Sequence, residues 1–69
     1  MTSLRLSFGK RVKQLRKQAG LSQEELAERA GISVDFVSLV ERGINAPSFE
    51  TLERLCEALG RVPRDLFDF

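Results

Sequence analysis

QEELAERAGISVDFVSLVER, from Gln23 to Arg42, reads as two short helices around a tight turn, and the rest of the chain frames the second one. Small and apolar residues recur on the first at Leu26, Ala27 and Ala30. Gly31 and Ile32 then interrupt it, because glycine tolerates the left-handed backbone that a sharp helix exit needs. Ser33 offers a hydroxyl to cap the next helix. At about 100° per residue, Val37 and Val40 fall on one side of that helix. Asp35, Ser38, Leu39 and Arg42 fall on the other. The outward face thus mixes polar groups, one aliphatic side chain and a terminal arginine.

Helices joined this tightly cross at close range, and Ala27 permits an approach that a larger side chain would block. Counted from Gln23, alanine at the fifth place, glycine at the ninth, and branched apolar residues at the tenth, fifteenth and eighteenth make up the helix-turn-helix signature. Ala27, Gly31, Ile32, Val37 and Val40 fill all of these places. The plainer alternative, an ordinary antiparallel helix pair in a small bundle, does not require them to agree.

A chain of 69 residues is expected to form one domain, residues 1–69. A domain this small buries only roughly 60% of its unfolded surface, so good helix patterning or dimerisation has to support it. With one cysteine and no histidine, neither an internal disulfide nor a Cys/His zinc site is available, and histidine acid–base catalysis is excluded. A reducing compartment is the simplest fit. No run is apolar enough for a membrane span and no secretory signal leads the chain, so a cytoplasmic protein is expected. Net charge is only +1. Its distribution says more. Arg5, Lys10, Arg11, Lys13, Arg16 and Lys17 precede every one of the 10 carboxylates. That asymmetry fits one basic surface on a nearly neutral body, or simply a solvated helix face.

Outward from the central stretch, five helices are expected, over about residues 4–19, 23–30, 33–42, 48–59 and 63–67, after a loose end at residues 1–3. In the first, Phe8, Val12, Leu15 and Ala19 form the buried stripe, with Lys10, Lys13 and Lys17 opposite. Arg16 lies on the flank of that stripe, where a half-buried guanidinium wants a carboxylate. Glu41, on the flank of the Val37/Val40 stripe, is the candidate partner; the bland alternative gives each a different neighbour or water. Gly20 ends the first helix and Leu21 plugs the space beyond it. Ser22 with Glu25 is a capping box that starts the second helix at Gln23. The free amides there are a natural phosphate seat, with Gln23 beside them, although Gln23 alone could be an ordinary first-turn residue. Ser48 caps the fourth helix after Pro47, and Phe49, Leu52, Leu55, Cys56 and Leu59 form its stripe. Cys56 reads as a small buried hydrophobe. Leu66, Phe67 and Phe69 crowd the final residues and either close the core or meet a second subunit.

Three runs, LRKQAGLSQEELAERAGIS, VSLVERG and NAPSFETLERLCEALG, resemble the Cro/repressor-type helix-turn-helix DNA-binding domains of the xenobiotic-response-element class of prokaryotic regulators. The resemblance covers about residues 8–67. It implies an all-α, five-helix lambda-repressor-like fold, with the helix-turn-helix at the second and third helices and the third in the DNA major groove. It also implies two-fold dimers on palindromic operators. Residue by residue, it gives Gln23, next to Ser22, a phosphate contact and a brace to the third helix. Ser33, Val34, Asp35, Ser38 and Leu39 take the places that approach base edges. Arg16 and Glu41 match a buried ion pair, and Arg42, Asn45 and Ser48 match backbone contacts after the reading helix. The last helix, with Leu66, Phe67 and Phe69, matches a dimer contact. This chain departs from the pattern at the reading positions. Many relatives carry Gln, Arg, Lys or Asn there, where bidentate contacts discriminate bases. Specificity would then lean on dimer spacing, DNA shape and Arg42.

The leading expectation is a small transcription regulator, a repressor-like homodimer on double-stranded DNA, similar to restriction–modification controller proteins. No cofactor, metal or small-molecule ligand is expected. The alternative is a protein–protein module of the same fold, antitoxin-like or an adaptor, with weak or no DNA binding. An enzyme has almost no support: no glycine-rich phosphate loop, nucleophile–base pair or metal-ligand spacing can be found.

Overall fold

Serine hydroxyls open four of the five helices of the computed structural model, which describes residues 3–69. The helices are α1 (Leu4–Gln18), α2 (Gln23–Ala30), α3 (Val34–Glu41), α4 (Phe49–Leu59) and α5 (Pro63–Leu66). Each cap accepts the amide three residues on: Leu6 to Ser3 at 3.4 Å, Glu25 to Ser22 at 3.0 Å, Phe36 to Ser33 at 3.1 Å and Thr51 to Ser48 at 3.2 Å. A first-turn amide has no intrahelical acceptor, and each such cap contributes about 1 kcal/mol. At Ser22 the capping box is complete, since the Ser22 amide donates to Glu25 Oε1 at 2.9 Å. Pro63 opens α5, where a missing N–H is harmless. The all-α, five-helix architecture expected from the sequence is the one observed, with no strand among the described residues.

α3 packs on α1 and α2, α4 packs on α2, and α5 closes against α1 and α4. Leu15, Leu26, Leu55, Leu66, Val12, Val37 and Val40 seal the centre with essentially no exposed surface. Burying each contributes about 1.5–3 kcal/mol. Gly31 adopts φ +69° at the turn between α2 and α3, where a side chain would be strained. Gly9 serves a different purpose. A Cβ there would fall on the carbonyl oxygens of Val40 and Glu41. Its absence lets α1 lie directly against the end of α3.

Several expectations are corrected. Met1 and Thr2 lie outside the described residues, but Ser3 is a helix cap rather than part of a loose end. Ala19, Arg42 and Phe67 are C-cap residues, so α1, α3 and α5 each end one residue earlier than expected, whereas Ser33 and Ser48 are the caps they were expected to be and lie just outside α3 and α4. Ala19 is exposed because it follows the last turn that packs. Phe49 does not join the α4 stripe: it is 84% exposed at the overhanging first turn, toward the edge of that stripe. Leu66 is fully buried among α1, α4 and α5, so it cannot also face a second subunit.

Candidate nucleic-acid interface

Three polar side chains from three helices lock the end of α3. Arg16 Nε donates to Glu41 Oε2 at 2.7 Å, and Arg16 Nη2 donates to Oε1 at 3.1 Å. Gln23 Nε2 donates to the same Oε1 at 3.0 Å. Arg16 Nη1 reaches the Leu21 carbonyl at 2.8 Å. The Glu41 side chain is 2% exposed and that of Arg16 10%. Charges this deep require such complete hydrogen bonding, and no described buried side-chain nitrogen or oxygen is left without a partner. The fork-to-fork pair fixes both distance and angle between α1 and α3. The bond from Gln23 pins the start of α2 to the same point.

The face of α3 turned from this network is open. Val34 is 39% exposed, Asp35 and Arg42 are exposed, and Ser38 and Leu39 are partly so. Ser33 accepts from the Phe36 amide and keeps its own hydroxyl proton for another acceptor. Ser22 is in the same position at the start of α2. Gln23 spends one Nε2 proton on Glu41 and retains a second. The beginning of α2 therefore offers a hydroxyl, an amide and free backbone N–H groups, close to the end of α3. Past α3, the Asn45 amide donates to the Leu39 carbonyl at 3.3 Å, which folds the loop back beneath the helix and leaves Asn45 exposed. Ser48 is less available: its hydroxyl donates to Thr51 Oγ1 at 3.1 Å.

The early basic run does not form one surface. Arg16 is buried, and Arg11 turns to the Asp65 carbonyl at 2.8 Å, to Gln14 and to Asp68. Arg5 reaches the Ile44 carbonyl at 3.2 Å. Lys10, Lys13 and Lys17 stay in solvent on the side of α1 opposite its buried stripe. Sequence reasoning also missed Gly9; a glycine on the apolar side of a helix, where alanine would be favoured by about 1 kcal/mol, was the available signal.

The terminal residues divide. Phe67 stacks on Phe8 with ring centroids 5.0 Å apart, yet remains 43% exposed, and Phe69 is 61% exposed. With Leu4, Pro47, Phe49 and Leu52 they border or adjoin an open apolar cleft of about 190 Å³. No cluster of metal-ligating side chains occurs among the described residues, and no helix is long and apolar enough to cross a membrane. Burial raises the Cys56 thiol above its ordinary value, so it stays protonated.

The family model described as helix-turn-helix matches residues 12–67. Control protein C.BamHI of Bacillus amyloliquefaciens is 38% identical over 68 residues, covering 97% of this chain and 84% of its own length. The HTH-type transcriptional regulator SinR of Bacillus subtilis is 39% identical over 62 residues, covering 88% of this chain but only 56% of its own. Among solved structures, the restriction–modification controller protein C.AhdI from Aeromonas hydrophila superposes with a TM-score of 0.88 and 42% identity, over 90% of this chain and 94% of that one.

Proposed function

The chain belongs to the helix-turn-helix family, and we propose that it is a sequence-specific, non-enzymatic regulator of transcription that reads double-stranded DNA in the cytoplasm of a prokaryote. One observation carries this reading. A buried three-helix network immobilises α3, while the outward side chains of α3 are left without partners in the chain. A surface helix would not need so rigid a mount unless its outer face had to meet something in register. In this reading α3 enters the major groove with Ser33, Val34, Asp35, Ser38 and Leu39 toward base edges. Ser22 and Gln23 hold one phosphate strand, and Arg42 and Asn45, with Ser48 if it releases Thr51, hold the other. C.AhdI, matched over 94% of its length, is a restriction–modification controller protein. Control of a restriction–modification gene set is therefore the specific role we place first, and the identity of the adjoining genes tests it.

The same reading makes the protein a homodimer on a palindrome. Its contact comprises Leu4, Phe49, Phe67 and Phe69, without Leu66. Four large apolar side chains exposed together on so small a body mark an association surface. Fluorescence anisotropy of labelled duplex against salt tests the DNA claim. A protein neutralising several phosphates loses affinity along a straight line in log salt, with a slope of about −0.9 per phosphate. Steep loss is expected; an absence of duplex binding at low salt would refute the reading.

A further inference from the structure

The outward face of α3 has one feature that a surface merely seeking phosphate would not carry. Asp35 lies at the middle of the exposed arc, in the first turn of the helix, with its carboxylate in solvent. Both ion pairs among the described residues involve other groups. α3 has no basic residue in its last turn. Arg42, the nearest cation along the chain on that arc, follows seven residues later, or about 10 Å along the axis at 1.5 Å per residue. No cation on the helix neutralises Asp35 as it approaches a polyanion; only the partial charge of the helix start lies beside it.

We propose that Asp35 is a specificity-determining residue of α3, whose carboxylate accepts a hydrogen bond from the exocyclic amine of a cytosine and penalises every duplex lacking one at that step. The proposal rests on the DNA-reading function above. Its chemistry follows from the groove edges. Guanine presents only acceptors, N7 and O6, and thymine presents O4 and a methyl group. Adenine offers N6–H but sets the N7 lone pair beside it, against the second carboxylate oxygen. Cytosine N4 is a donor with no acceptor of its own base beside it in the groove. A carboxylate stripped of water without a donor is strongly unfavourable, whereas a charge-assisted bond to the amine offsets that loss. Asp35 thus acts chiefly by rejecting wrong sites. Val34 and Ser38, its neighbours on the open face, have neither the charge nor the fixed acceptor to do this.

The test compares wild type, Asp35→Asn and Asp35→Ala by site selection from a random duplex library. Affinities for the wild-type site, for a scrambled duplex, and for the site with the cytosine amine deleted are then measured at one salt concentration. Wild type is expected to require cytosine at one step of each half-site. Asp35→Ala should lose that requirement, bind scrambled duplex more tightly, and discriminate on the order of tenfold less. Deleting the amine should weaken wild type and leave Asp35→Ala unchanged. Asp35→Asn should move the preference to adenine, which the amide contacts through N6 and N7. If wild type selects a site but the variants return the same base frequencies and the same discrimination, the proposal is overturned. Asp35 would then serve only the electrostatics of the helix start, visible as a lower melting midpoint. If wild type selects no site at all, the DNA-reading function itself fails, and the proposal with it.

Discussion

Glu41 is the residue on which the mounting of α3 depends. Its two oxygens accept from side chains of α1 and α2, and no other carboxylate bonds to Arg16 among the described residues. Glu41→Ala leaves a buried guanidinium with only the Leu21 carbonyl and frees Gln23 as well. Breaking such a pair from one side is expected to destabilise the fold by about 2–4 kcal/mol, measured by urea denaturation. A chain of this size has a total stability of roughly 3–10 kcal/mol, so the loss is a large share of it and the variant should unfold at a clearly lower urea concentration. An unchanged midpoint would contradict the role given to the pair. This contact is legible from the sequence, because Arg16 and Glu41 both fall on the flank of an apolar stripe. The turn of Arg11 toward Asp65 is not legible. Its acceptor is a backbone carbonyl 54 residues away, and only the docking of α5 brings the two together.

At the scale of the helices, starts are better specified than rotations. Ser22, Ser33 and Ser48 each precede a helix by one residue and are legible as caps, whereas Ser3, expected in a loose end, is a cap that the sequence reading missed. Hydroxyl caps are chemistry that a sequence displays directly. What remained hidden was the behaviour at helix ends: Phe49 fits the stripe of α4 by periodicity, but its turn overhangs the body and nothing covers it. Leu66 and Phe67 are adjacent, and only the packing of α5 decides which faces inward. The start of α2 carries a pH prediction. The backbone N–H of Ser22, then its hydroxyl, then the charge of Arg29 hold the Glu25 carboxyl below its ordinary range. A folded value below the unfolded one gives stability that is present above the unfolded value and lost as pH falls through the folded one. Melting midpoints of wild type and Glu25→Gln should therefore differ at neutral pH, with the difference shrinking once pH falls below about 4, where the unfolded carboxyl titrates, and vanishing below the folded value. A constant difference down to pH 3 would show that the capping box does not depend on the charge.

For the molecule as a whole, the apolar cleft and the aromatic patch around it are the surface proposed for association with a second copy. Phe49, 84% exposed at its edge, contributes little to the monomer. Phe49→Ser should leave the melting of the monomer within about 0.5 kcal/mol, as surface substitutions usually do. It should also shift sedimentation equilibrium from dimer toward monomer. A dimer equally tight in the variant would place the contact elsewhere. Two α3 helices related by a two-fold axis would then present the same face to successive major grooves. The account as a whole is tested most directly by selecting bound duplexes from a random library at moderate salt and sequencing them. It predicts a palindrome whose half-sites lie about one helical turn apart, roughly 34 Å. A bound pool no different from the starting library would contradict the claim that α3 is mounted to read DNA.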